Sequence, residues 1–169
     1  MDKSARKKLL RELQDKEEKK LALSKGRYLH EDIHWRGIGL KVLQIVYRPS
    51  FERNIVWEIR KQEDKYVLFE STVSPHNPFV LEPGYDLLAI DSAELKQLVE
   101  GLKKIKITIG IPESNMFTLD GTSFEVCLYG VQQSIRIQWL SEPHQDWAEI
   151  ARMTETAIDQ FKLLKKESD

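Results

Sequence analysis

His30-Glu31-Asp32-Ile33-His34 is the stretch whose residue types and spacing come nearest to a catalytic constellation. Two histidines one helical turn apart share a face and can hold zinc, and the glutamate after the first can activate a water. A longer form of this pattern continues with a glycine, matched by Gly37, and a third histidine, where the chain has Leu40. A third ligand would have to come from a distant acid such as Glu52, Glu58 or Glu63. Gly37 and Gly39 weaken any helix past His34, and a strand-like run begins almost at once. The reading is therefore of a chain with no metal and no cofactor. A zinc-dependent hydrolase, with His30 and His34 as ligands and Glu31 as base, is the alternative.

Other chemistries find less support. The eight glycines are scattered, and none lies in a phosphate-binding loop pattern. Gly37-Ile38-Gly39 leads into a strand, whereas a phosphate is held at the N-terminus of a helix. Cys127 alternates with Val126 and Leu128 and has no histidine nearby in sequence, so it reads as a small packing residue. Ser141, His144 and Asp146 fall together in a run that reads as the entry to a helix, where Asp146 can cap with Glu149 at the reciprocal position. No residue is assigned a catalytic role.

A recognition surface is the more economical expectation. Pro75, Pro78 and Pro83 remove ladder donors and stiffen the stretch from Ser74 to Gly84 into a loop or crossover. That stretch and its end carry His76, Asn77, Phe79 and Tyr85, a mixture of rings and polar groups suited to contact with another protein. His76, Phe79 and Tyr85 are the candidate partner-binding residues, with Trp57 a weaker one because it shares its strand face with Ile55 and Ile59.

Composition excludes several classes. Of 169 residues, 41% are hydrophobic and 31% charged, which suits a globular domain large enough to bury a core without disulfides. The net charge of −1 provides no overall field for nucleic acid or acidic membranes. Met1 to Arg27 holds ten basic and five acidic residues, so its net +5 leaves −6 for the rest. Lys3, Arg6, Lys7, Lys8 and Arg11 could form a nucleic-acid arm, a third reading, but Glu12, Asp15, Glu17 and Glu18 would repel phosphate and no aromatic offers a stacking surface. One cysteine and no apolar run near the ~20 residues of a membrane span lead to the expectation of a cytoplasmic protein.

The elements that must position these residues follow from periodicity. Residues 1–27 form a charged helix, and 28–169 form one α+β domain. Leu40 to Tyr47 is apolar on both alternations, as a central strand covered on two sides would be. Ile55 to Arg60 and Tyr66 to Glu70 continue an antiparallel meander. Tyr85 to Ile90 reads as a short strand. Asp91 and Glu94 then open a helix from Ser92 to Lys104 with Leu95, Leu98, Val99, Leu102 and Ile105 on its stripe. Phe124, Val126 and Leu128, then Ile135, Ile137 and Trp139, alternate as a C-terminal hairpin. Asp120-Gly121 reads as a tight turn at positive φ that pairs the first of these strands with Asn115 to Leu119. From Trp147 to Leu164 the period becomes helical.

The stretch Leu119-Asp120-Gly121-Thr122-Ser123-Phe124-Glu125, with Ile135 to Trp139 and then Glu142-Pro143-His144-Gln145-Asp146-Trp147, resembles a pattern in small bacterial α+β proteins. Those proteins have a hairpin, a strand ending in Trp, a Pro-x-x-x-Trp link and a terminal helix. Some resemble immunity proteins that neutralise a cognate toxin. The resemblance covers about a quarter of the chain and implies a non-catalytic, protein-binding module that acts by occlusion.

Overall fold

The computed structural model describes residues 3–24, 27–30, 38–107 and 121–166. The fold is α+β. Strands β1 (Leu40–Arg48), β2 (Ile55–Gln62), β3 (Lys65–Thr72), β4 (Asp86–Leu88), β5 (Ser123–Gly130) and β6 (Gln133–Leu140) make one sheet in the order β4-β3-β2-β1-β5-β6. Every pairing is antiparallel. Helix α1 (Lys3–Ser24) precedes the sheet, α2 (Ser92–Lys104) falls between β4 and β5, and α3 (Ala148–Lys166) follows β6.

Two-residue turns close the hairpins at Gln62↔Lys65 and Gly130↔Gln133, with Glu63 at φ 53° and Gln132 at φ 59°. Positive φ matches the turn to the right-handed twist of the strands it joins. β1 is central, as its two-sided apolar pattern implies, and lies between β2 and β5.

One face of the sheet packs against helices. Leu43 and Ile45 of β1, Trp57 and Ile59 of β2, Leu68 of β3, Val126 of β5 and Trp139 of β6 share a core with Leu95, Val99 and Leu102 of α2 and Ile150, Ile158 and Phe161 of α3. Phe161 sets its ring 5.9 Å from that of Trp57, whose Nε1 donates to Glu70 Oε2 at 2.9 Å. Asp91 caps α2 by accepting from the Ala93 amide at 2.6 Å, as the sequence implies. Burial of these two helical stripes against the sheet is the main stabilising term.

Several expectations are corrected. β1 and β6 are the partners of β5 from Ser123 to Leu128, where the sequence predicts Asn115 to Leu119. That segment and Asp120 lie outside the described residues. The expected turn at Asp120-Gly121 therefore falls partly outside them; a Cβ on Gly121 would run into Ser141 Oγ, so a larger residue there would require the Ser141 side chain to turn away. The cap ahead of α3 is His144, whose Nδ1 accepts from the Asp146 amide at the start of a 3-10 turn, Gln145–Trp147. α1 adds no described side chain to the core, and its Leu9, Leu10 and Leu13 are exposed.

Phe161→Ala would empty the contact between α3 and Trp57. Urea denaturation should show a loss of about 3–5 kcal/mol with the unfolding transition still cooperative.

Candidate functional site

The second face of the sheet is covered by two short stretches of chain, with no described helix on it. Residues 27–30 and 79–85 run together as a double strap, with Leu29 N donating to Phe79 O at 2.8 Å and Leu81 N to Arg27 O at 2.7 Å. Glu82 N donates to Thr72 O at 2.8 Å and ties the strap to the end of β3. Leu29 and Leu81 point inward onto Val46, Val56 and Val73. Tyr28, next to Leu29, and Phe79, in the turn before Val80, are each 65% exposed. Phe69 and Tyr85 meet edge to face at 4.5 Å.

Beneath the strap the strands present charge. Glu58 of β2 is fully buried and accepts from Arg27 Nη1 and Arg60 Nε, each at 3.0 Å, and from Gln44 Nε2 at 3.3 Å. Lys41 Nζ lies 3.7 Å from its other oxygen. Burial alone would push this carboxyl up, but Arg60, Arg27 and Lys41 together hold it at about 2. Arg60 Nη1 also donates to Gly39 O at 2.9 Å. Gly39 sits at φ +84°, and a Cβ would lie 2.5 Å from Lys61 O, so only glycine fits there without strain.

A second cluster lies on β5. Arg48 Nη2 and Nη1 donate to Glu125 Oε2 at 3.2 and 3.3 Å. Cys127 Sγ donates to Glu125 Oε1 at 3.3 Å, and Arg136 Nε is 3.8 Å from the same oxygen. From the strap, His30 brings Nδ1 to 3.5 Å from Glu125 Oε1. Burial, then Glu125, push the Cys127 thiol up to about 12, so it is protonated at neutral pH and inert as a nucleophile. Burial lowers the His30 pKa against the attraction of Glu125, with Arg136, Lys41 and Arg48 helping to keep the ring neutral. Among the described residues, His30, Glu125 and Cys127 are the one group able to place three ligand atoms within 4.8 Å of one another.

Comparisons of the chain with family models, curated proteins and solved structures gave no match. The site is therefore read from its geometry alone.

That geometry separates the residues singled out in the sequence. His76 and Phe79 are exposed in the Pro loop, and Tyr85 is half-buried with its hydroxyl turned inward. Trp57 is 1% exposed beneath α3, so it is a core residue and cannot meet a partner. Of the H-E-x-x-H pattern only His30 lies within the described residues. Glu58, offered as a distant third zinc ligand, is held by three cations instead. Glu125, Arg48 and Gln44, which carry no functional signal in the sequence, each fall on the alternation opposite the apolar face of their strand.

Glu58 should govern the acid limb of stability. Its ordinary pKa is 4.5 and its folded pKa about 2, so its contribution is complete above about pH 4.5 and disappears as pH falls towards 2. At about 1.4 kcal/mol per pH unit this contribution is about 3 kcal/mol. Glu58→Gln should cost about 3–5 kcal/mol at pH 7 because three cations lose their counter-charge. Urea titrations at decreasing pH should show the gap to wild type narrowing.

Proposed function

We propose that the protein is a non-catalytic module that binds another protein through the end of the sheet where the strap meets the β1–β2 connection. The observation that supports this reading is a group of exposed aromatic side chains at that end. Phe51, in the connection, is 92% exposed, and Phe79 and Tyr28 of the strap are exposed as well. The register Tyr47↔Ile55↔Thr72 brings the 49–54 connection and the loop that follows β3 to the same end. Val73 N donates to Asn54 O at 3.0 Å, which fixes one to the other.

Single exposed apolar residues are ordinary, but several rings on one rim are the composition of an interface centre. Glu52, Arg53, His76 and Asn77 surround them as an exposed polar border. Phe79 N donates to Asn77 Oδ1 at 3.0 Å and His76 N to Ser74 Oγ at 3.3 Å, so the loop is held by its own turns before any partner arrives. Preorganisation lowers the ordering cost of association. The same features suit an immunity-type protein that covers a toxin's active site or a required surface, the mechanism implied by the C-terminal resemblance. No helix of the described chain is long and apolar enough to cross a membrane. A cytoplasmic location is part of the same proposal.

Phe51→Ala and Phe79→Ala remove exposed side chains and should leave stability within about 0.5 kcal/mol of wild type. Each should weaken a stoichiometric copurifying protein by about 30-fold or more, the loss of about 2 kcal/mol expected at an aromatic anchor. Isothermal titration with the isolated partner checks this; unchanged affinity in both variants would remove this rim as the interface.

A further inference from the structure

We propose that His30, Glu125 and Cys127 bind a single zinc ion, which fastens residues 27–30 to β5. This ligand set shares only His30 with the H-E-x-x-H pattern, and the proposal does not rest on the partner-binding reading.

The geometry carries the proposal. Glu125 and Cys127 are alternate residues of β5 and therefore point to the same face, and the strap lowers His30 onto them. Cys127 Sγ is 3.3 Å and His30 Nδ1 3.5 Å from Glu125 Oε1. Zinc bonds of about 2.0–2.3 Å give a tetrahedron edges of roughly 3.3–3.8 Å. Two of the three edges are thus already near their coordinated lengths. Imidazole, carboxylate and thiolate together form a nitrogen, oxygen and sulfur set that suits zinc better than magnesium or calcium.

Hydrogen bonding at the site is incomplete without an ion. His30 Nδ1 is a buried atom with no hydrogen-bond partner among the described residues, although a carboxylate oxygen stands beside it. A zinc ion would satisfy the ring nitrogen and the carboxylate oxygen together. Arg48 grips the other oxygen, Oε2, and so turns Oε1 towards the site, the role of an orienting outer contact. The raised Cys127 pKa means that binding expels the thiol proton to solvent as the sulfur–zinc bond forms.

Positive neighbours oppose the ion. Arg48, Arg136 and Lys41 all act on this corner, so its affinity should be lower than that of an all-anionic pocket. Arg136 is about half-exposed and can turn to water when the ion enters. His30 is partly exposed as well, which leaves a fourth position for water.

Cobalt(II) is the spectroscopic probe for zinc here. Cys127 is the only cysteine in the chain, so thiolate-to-cobalt charge-transfer absorption in wild-type protein can arise from no other residue. We expect one cobalt per chain, this near-ultraviolet band, and its disappearance when zinc is added. Cys127→Ser should abolish the band, and His30→Ala should weaken cobalt binding more than about 10-fold. No binding, cobalt bound without the band, half an ion per chain, or full affinity in His30→Ala would each overturn the proposal. Should a variant fail to fold, the stoichiometry and spectrum of the wild type still decide.

Discussion

A carboxylate surrounded by cations in the interior of a sheet is the constraint around which this structure is arranged. Glu58 lies on the central part of the sheet, out of water, with Arg27, Arg60 and Lys41 about it. An isolated charge in that position would be prohibitively costly, and each partner makes the others tolerable. The consequence reaches outward. Arg27 comes from the strap, so covering the second face and neutralising Glu58 are one event. Arg60 in turn holds the carbonyl of Gly39, just ahead of β1, where the backbone must turn at positive φ.

The two faces of the sheet solve the same problem by different physics. On one, α2 and α3 supply continuous apolar stripes, and aromatic packing around Trp57 and Phe161 excludes water. On the other, among the described residues, a pair of short extended stretches covers the strands. Their apolar contribution lies in two small clusters, one around Leu29 and Leu81 and one where Tyr85 packs on Phe69. The remainder of that face is closed by ion pairs and hydrogen bonds, which are directional and fix the position of the strap more narrowly than apolar contact would. A strap so located can present Tyr28 and Phe79 outward on a defined rim. It can also bring His30 to Glu125 and Cys127. Recognition and ligation would thus both depend on the same polar layer.

Local and periodic signals determined most of the architecture. The alternation in β2, β5 and β6, the unbroken apolar run of β1, the Asp91 cap of α2 and the 3.6-residue stripe of α3 each act within a few residues, so the chain itself specifies them. The stiff Pro loop with exposed His76 and Phe79 was legible for the same reason. Where neighbours in space are distant in sequence, the reading failed. Nothing near Asn115 indicates that β1 will take the flank of β5, because that pairing joins segments about 80 residues apart. Trp57 on an alternating strand looks the same whether its face meets water or α3, and only the helix packing decides.

The polar layer shows the limit most clearly. Glu58, Arg60, Gln44 and Glu125 have the spacing of an ordinary solvated strand face, and a charged residue in a sequence carries no mark of burial. Tertiary structure buried them, since the strap that covers them arrives from residues 27–30 and 79–85. Likewise His30 and Cys127, nearly a hundred residues apart, become neighbours only when the strap is laid across β5. Short-range periodicity was enough to mark which segments become strands and helices and which of their faces are apolar. Only the folded chain decided which charges lose water and which side chains meet, because both follow from how distant segments cover one another.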